Sequence, residues 1–151
     1  MNKETILADF RLANLSRGLS ITGRREVLTG KAKFGIFGDG KELIQIAMAK
    51  QFRESDWRSG YYRDQTWMMA MGLYDSLEFF HQLYGNTDRQ VNHGSGGRVF
   101  NNHFSIPNMN PDGSWRDLTK QKNSSSDISP TAGQMPRLLG LAYASKLFRQ
   151  N

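Results

Sequence analysis

Cysteine is absent from the 151 residues of this chain. Its absence removes three chemistries together: a disulfide framework, a thiolate zinc site and a cysteine nucleophile. Histidine is scarce. Only His81, His93 and His103 occur, none in an H-x-x-x-H or other close metal spacing, which argues against a histidine metal cage. No apolar run approaches the roughly 18 residues that a membrane crossing needs. The opening Met1-Asn2-Lys3-Glu4-Thr5 lacks the basic-then-apolar order of a secretory signal. A soluble, cytoplasmic chain is the expectation, long enough to build one core without a metal or disulfide staple.

Acidic residues are outnumbered 14 to 20 by Lys and Arg, which leaves a net charge of +6. The basic residues are scattered (Arg11, Arg17, Arg24, Arg25, Lys31, Lys33, Lys120, Lys122, Lys146, Arg149) rather than clustered. Scattered charge reads as a solvated surface rather than a nucleic-acid footprint, because phosphate binding gains from many cations acting on one stretch of backbone.

What is present is mostly helical periodicity. Ile6, Leu7, Phe10, Ala13 and Leu15 share one side of a helix expected to end near Gly18, within residues 1–20. A short helix over Arg24–Thr29 should stop at Gly30. Leu43, Ile44, Ala47, Met48 and Phe52 predict a helix over Lys41–Phe52, followed by a short extended stretch over Trp57–Tyr62. Gln65–Met71 reads as helix, and Trp67-Met68-Met69-Ala70-Met71 with Met48 as core. Asp75-Ser76-Leu77-Glu78 is a capping box opening a helix with Leu77, Phe80 and Leu83 on its apolar face and Gly85-Asn86 at its end. Thr87–Asp127 is rich in Gly, Asn, Ser and Asp and reads as a long loop. The last helix, Ala132–Arg149, offers Met135, Leu138, Leu139, Ala142 and Leu147 to a core, and Gly140 within it suggests a close backbone approach. The whole is a single predominantly α-helical segment with a long irregular loop.

Several runs invite chemistry. Gly35-Ile36-Phe37-Gly38-Asp39-Gly40-Lys41-Glu42 nearly spells the phosphate-cradling G-x-x-x-x-G-K-S/T. Glu42 stands where a hydroxyl is needed for magnesium and would repel phosphate, so a turn into a helix is the better reading. His93-Gly94-Ser95-Gly96-Gly97-Arg98 is glycine-rich but lies in the loop, not between strand and helix. His81 reads as structural, whereas His103 lies in the loop, where functional residues concentrate. Two runs matter most. In Gly60-Tyr61-Tyr62-Arg63-Asp64-Gln65-Thr66 a phenol beside a planar guanidinium fork forms an anion clamp. Ser129-Pro130-Thr131-Ala132-Gly133-Gln134-Met135-Pro136 opens a helix with a Ser-Pro turn.

In order, these segments resemble the N-terminal part of an E1 alpha-type component of the thiamin-diphosphate-dependent 2-oxo acid dehydrogenases, nearest to the branched-chain 2-oxoisovalerate dehydrogenase group. Phe37-Gly38-Asp39-Gly40-Lys41-Glu42 resembles the family's G-x-G-x-E-A helix start, and Tyr61-Tyr62-Arg63-Asp64 its Y-R-D/E cofactor segment. Leu77-Glu78-Phe79-Phe80 to Tyr84-Gly85-Asn86, then Gly97-Arg98 and His103-Phe104, resemble its helix, G-N step, G-R pair and H-Y/F-G element. Ser129–Pro136 with Gly140 and Ala142-Tyr143-Ala144 resembles its S-P-L-A-T-Q-x-P helix. The resemblance covers nearly everything after residue 20 and implies an α/β thiamin-diphosphate-binding fold in the parent family.

The resemblance further implies that Tyr62 and Arg63 touch the cofactor diphosphate, Ser129 and Thr131 lie beside its aminopyrimidine, and His103 lines the substrate and lipoyl end. It implies oxidative decarboxylation of a 2-oxo acid, a lipoyl-bearing E2 partner, a beta-type E1 region or subunit, and an oligomer. Thr131 replaces the family's Leu, Ser105 its Gly, and Asn108–Lys122 reads as an insertion. The family's magnesium motif follows the Ser-Pro helix. The Gly38-Asp39-Gly40 and Asn101-Asn102 pairs precede that helix, so no metal ligand is assigned here. The Mg2+ motif is expected beyond Asn151 and the tautomerising carboxylate in a beta-type region, so this piece alone should not turn over. Two other functions remain open on the residues, a helical nucleic-acid module and a non-catalytic scaffold that keeps the fold.

Overall fold

The computed structural model describes residues 2–92 and 95–148. His93 and Gly94 of the glycine-rich run, and Arg149 at the expected end of the last helix, lie outside the described residues. Among those described, helices dominate: α1 (Lys3–Leu28), α2 (Glu42–Gln51), α3 (Gln65–Ala70), α4 (Ser76–Leu83) and α5 (Gln134–Phe148), with two short strands, β1 (Trp57–Arg58) and β2 (Asn123–Ser124). The chain divides into two compact units. The first takes Met1–Gln51 with Tyr62–Asn102, and the second Phe52–Tyr61 with His103–Asn151.

In the first unit, Asn2 caps α1, its side-chain oxygen accepting from the Thr5 amide at 2.8 Å and the Thr5 hydroxyl at 2.7 Å. The helix does not stop near Gly18, and no second helix begins at Arg24. One helix of 26 residues passes through both Gly18 and Gly23. Gly23 shows why tertiary packing overrides propensity there: the Phe37 and Phe79 rings come so close that a Cβ would collide with both. That contact outweighs the roughly 1 kcal/mol that glycine costs inside a helix. Gly30, at φ +77°, does end the helix.

The buried stripe of α1 is Ser16, Leu19, Ser20 and Gly23, a true helical spacing made of mostly small and polar residues. The expected apolar face of Ile6, Leu7, Phe10 and Leu15 is exposed. The same inversion occurs in α2, which buries Glu42, Gln45, Ile46 and Ala49 while Leu43 and Ile44 stay 74% and 61% exposed. A hydrogen-bond network takes the place of apolar contact. Buried Gln65 donates through Nε2 to the Ser16 carbonyl at 2.9 Å and hydroxyl at 3.0 Å, and accepts from Asn102 Nδ2 at 3.0 Å. The Ser16 and Thr66 hydroxyls lie 2.7 Å apart. Gln82 Oε1 accepts from the Asn102 amide and the Tyr74 hydroxyl, both at 2.9 Å. Asn102 Oδ1 within it is buried without a partner, a local cost, while the satisfied members specify one packing.

Met68, Met69, Met71, Phe79 and Leu83 complete this core, as the Trp67–Met71 run leads one to expect, although Met48 remains exposed. Gly72 at φ +72° follows α3. Asp75 caps α4, accepting from the Glu78 amide at 2.8 Å. On α4 the buried residues are Phe79, Gln82 and Leu83, with Leu77 exposed. Asn101 clamps the backbone of Ile36, accepting from its N–H at 2.9 Å and donating to its carbonyl at 2.7 Å. Gly97 lies against the Gly85 carbonyl, where a Cβ would sit 2.7 Å from the oxygen. The family's G-N and G-R steps are thus two turns in backbone contact.

The loop before α2 behaves as a helix start, not as a phosphate cradle. Glu42 accepts from the Gly40 amide at 3.0 and 3.1 Å and from Arg17 Nε and Nη2 at 2.6 and 2.8 Å. The Arg17 fork first, then the Gly40 amide, hold the carboxyl at about 2 against the opposing effect of burial. Its folded value lies below its ordinary 4.5, so the pairing stabilises above about pH 4.5 and is lost as pH falls toward 2. Half-exposed Arg17 moderates the gain through solvent screening. Glu42→Gln is expected to lower stability by about 1–2 kcal/mol near neutral pH. Urea midpoints followed down in pH should then fall less steeply in the variant than in the parent protein.

In the second unit β1 and β2 pair in parallel, Trp57 with Asn123 and Arg58 with Ser124. The ladder carries 2.9 Å bonds from the Asn123 amide to the Asp56 carbonyl and from the Ser125 amide to the Arg58 carbonyl. The two-residue period sends Arg58 inward and leaves Trp57 on the other face. The expected insertion closes on itself as a hairpin. The Arg116 amide donates to the Asn108 carbonyl at 2.9 Å, the Asn110 amide to the Ser114 carbonyl at 2.8 Å, and Met109 bridges Trp115. Met135, Leu138, Leu139, Ala142 and Leu147 do not form a core: α5 has no fully buried residue. Its first turn is tied to β1's neighbourhood by the Ser59 hydroxyl donating to the Gln134 carbonyl at 3.0 Å. Gly140 meets nothing within 4 Å, so the close approach expected there is absent.

Candidate cofactor and catalytic site

In the first unit, Tyr62 and Arg63 sit in the turn before α3. The Arg63 carbonyl accepts from Gln45 Nε2 at 2.9 Å. A Cβ on Gly38 would lie 2.5 Å from that carbonyl oxygen, so glycine is needed for the approach. With its backbone fixed from two sides, the exposed Arg63 side chain turns over the Tyr62 ring, its guanidinium carbon 5.2 Å from the ring centroid. The stack sets the plane of the guanidinium fork against the ring.

In the second unit, His103 is buried and its Nε2 lies 2.8 Å from the Ser129 hydroxyl. The Tyr61 hydroxyl lies 3.3 Å from the Thr131 hydroxyl. Ser129 and Thr131 are exposed on a bend closed by the Gly133 amide donating to the Pro130 carbonyl at 3.2 Å. Ala132 follows at φ +65°, a left-handed conformation that costs an alanine about 1–2 kcal/mol. Such strain is kept where surrounding contacts impose it, and it marks this bend.

An ion pair lies at the centre of the unit. Arg58 Nη1 and Nη2 donate to Asp127 Oδ1 and Oδ2, each at 2.9 Å, and the two side chains are 1% and 0% exposed. Arg58 also donates to the Ser124 hydroxyl at 2.8 Å and the Tyr61 carbonyl at 3.2 Å, with the Phe104 ring 5.6 Å from its carbon. Asp127 accepts from the Phe104 amide at 3.1 Å, while its own amide donates to the Phe104 carbonyl at 2.9 Å. Asp127 therefore grips the residue after His103 and stands two residues before Ser129. Gly60 is the counterpart on the strand side: a Cβ there would overlap the Arg58 guanidinium.

Within the second unit the structure brings His103 together with Ser129 and sets Thr131 on the same bend. Within the first it holds Tyr62 and Arg63 side by side. Sequence reading missed Tyr61 as the partner of Thr131, and missed Arg58 and Asp127 altogether. The only trace of that pair in the sequence is a charged residue inside an extended stretch, between Trp57 and Ser59 and two residues before Gly60. Among the described residues no three His, Asp or Glu side chains are gathered as a metal site.

No helix of the described residues is long and apolar enough to cross a membrane. No curated protein shows a significant match. The family model described as "Dehydrogenase E1 component" matches residues 12–150. That span contains the Tyr-Arg turn, the histidine and the Ser-Pro bend alike, and the chain belongs to the dehydrogenase E1 component family, the E1 components of 2-oxo acid dehydrogenases.

Proposed function

We propose that this chain is an alpha-type part of a thiamin-diphosphate-dependent E1 enzyme that oxidatively decarboxylates a branched-chain 2-oxo acid and passes the acyl group to a lipoyl-bearing E2. The observation that carries the reading is the His103–Ser129 contact, held by the buried Arg58–Asp127 pair at the family's Ser-Pro bend. The donor chemistry fits the cofactor. Arg63 offers a fork for the diphosphate and Tyr62 a phenol beside it. The Ser129 and Thr131 hydroxyls and their turn carbonyls offer hydrogen-bonding groups to an aminopyrimidine. Bound thiamin diphosphate supplies the electron sink for losing carbon dioxide. No residue of this chain is assigned to Mg2+.

His103 is assigned to proton handling at Nε2 on the substrate and lipoyl side. Ser129 Oγ fixes the direction in which Nε2 points, and either ring nitrogen can donate or accept a proton. A beta-type E1 region and an oligomeric assembly complete the reading. They are supported by apolar side chains left on the surface of the first unit, where Phe10, Leu43 and Ile44 line a groove of about 540 Å3 between α1 and α2.

The test is made on the assembled enzyme with thiamin diphosphate, comparing 3-methyl-2-oxobutanoate with pyruvate as carbon dioxide donors. The branched acid should show the higher kcat/KM. His103→Asn is expected to slow acyl transfer to a lipoyl acceptor at least tenfold, within the range of lost acid–base assistance, with cofactor affinity unchanged. Wild-type transfer rates in that variant would remove His103 from the reaction, and absence of 2-oxo acid decarboxylation would remove the reading as a whole.

A further inference from the structure

The hairpin Asn108–Arg116 and the outer face of β1 enclose a cavity of about 510 Å3 within the second unit. Its lining includes Trp57, Trp115, Asn108, Arg116 and Asp117. The size suits a small organic molecule. Two polar atoms in this lining are buried and lack any hydrogen-bond partner, the Arg116 Nε and the Asn108 Oδ1. One is a donor on a permanent cation and the other an acceptor. Leaving either unpaired is costly, because the hydration lost on burial is not replaced by a hydrogen bond.

The neighbouring carboxylate does not neutralise the cation. Asp117 is committed to the Thr119 amide and hydroxyl at 3.1 and 2.5 Å and to Lys120 Nζ at 2.9 Å. The walls are indoles. Trp57 is directed here because Arg58, its neighbour on the strand, takes the inward position. Trp115 is carried by the hairpin and stays 70% exposed, a large apolar ring whose surface a ligand would cover.

We propose that this cavity is a binding site for a small aromatic carboxylate that carries a hydroxyl or amine donor on its ring. The carboxylate would meet the Arg116 guanidinium, the ring would pack against the Trp57 and Trp115 indoles, and the donor would meet Asn108 Oδ1 once that side chain turns toward the cavity, since neither unpaired atom has accessible surface in the structure. The site lies in the stretch that departs from the family pattern and is independent of the reaction assigned above.

The indole N–H signals of Trp57 and Trp115 in proton–nitrogen correlation spectra of this chain, assigned with Trp57→Phe and Trp115→Phe, report occupancy directly. The probes are 2-, 3- and 4-hydroxybenzoate with their matching benzamides. At least one acid should shift both signals saturably and leave Trp67 unmoved, with its amide binding at least tenfold more weakly. The preference for acid over amide should vanish in Arg116→Gln and persist in Arg116→Lys, which keeps the charge. Asn108→Ala should weaken the hydroxybenzoate and spare plain benzoate. The assignment is overturned if no acid gives a saturable shift, if amides bind as tightly as acids, or if Arg116→Gln keeps the preference.

Discussion

Asp127→Ala is expected to unfold the second unit while leaving the first intact. The substitution strips the partner from a guanidinium that is 1% exposed, and an uncompensated buried charge costs about 3–5 kcal/mol. It also removes the Asp127 acceptor of the buried Phe104 amide. A unit with no fully buried residue on its one helix has little apolar burial to offset such a loss. Hydrogen exchange separates the units. The Asn123 and Ser125 amides, bonded across the short ladder, should lose protection, while the Met68 and Met71 amides of the first unit keep theirs. Gly60→Ala should act in the same direction, since its methyl group takes the space of the Arg58 guanidinium. The paired replacement Arg58→Met with Asp127→Leu should recover much of the stability, because a matched apolar pair avoids desolvating two ions. Full protection of the Asn123 amide in Asp127→Ala would show that the pair does not hold the unit together.

That pair also shows where sequence reading runs out. Helix positions were legible because their signals are local. The Asp75 cap and the glycines at 30, 72 and 85, all at positive φ, follow from one turn of chain. Helix faces were not legible. The stripe Ser16, Leu19, Ser20 and Gly23 has the right spacing, yet it is buried through hydrogen bonds to Gln65 and Thr66, some 45 to 50 residues away. No hydrophobicity pattern encodes such a partner. Leu43 and Ile44 mislead for the opposite reason: their apolar face is real, but this chain leaves it uncovered. The helix runs on through Gly18, where nothing lies within 4 Å of an added Cβ, and through Gly23, which answers to the rings of Phe37 and Phe79, not to propensity.

The candidate site divides the same way. Tyr62, Arg63, Ser129, Thr131 and His103 are expectations drawn from motif order, which carries chemistry without geometry. The contact between His103 and Ser129 spans 26 residues, and the clamp that sets it joins residues 69 apart. Neither Arg58 nor Asp127 belongs to a segment carrying the family resemblance, so nothing in the sequence marked them as the support for residues that do.

Arg63→Ala is expected to weaken thiamin diphosphate binding to the assembled enzyme about 100-fold. A guanidinium fork can make two charge-assisted bonds to phosphate oxygens, each worth about 1.5–3 kcal/mol before solvent screening of an exposed side chain is allowed for. A combined loss of about 2.7 kcal/mol corresponds to the stated factor. Replacing the fork by a point charge separates geometry from electrostatics: Arg63→Lys should lose roughly tenfold, because attraction survives while bidentate alignment does not. Thiamin without phosphates should bind wild type and variants alike, since nothing on it meets the clamp. The turn should persist in both variants, because Gln45 and Gly38 hold the Arg63 backbone carbonyl, which neither substitution alters. Titration calorimetry at fixed magnesium and ionic strength reads both ligands against wild type and the two variants. An Arg63→Ala enzyme that binds the diphosphate as tightly as wild type would take Arg63 out of the cofactor site, and the stack on Tyr62 would then be no more than a surface contact.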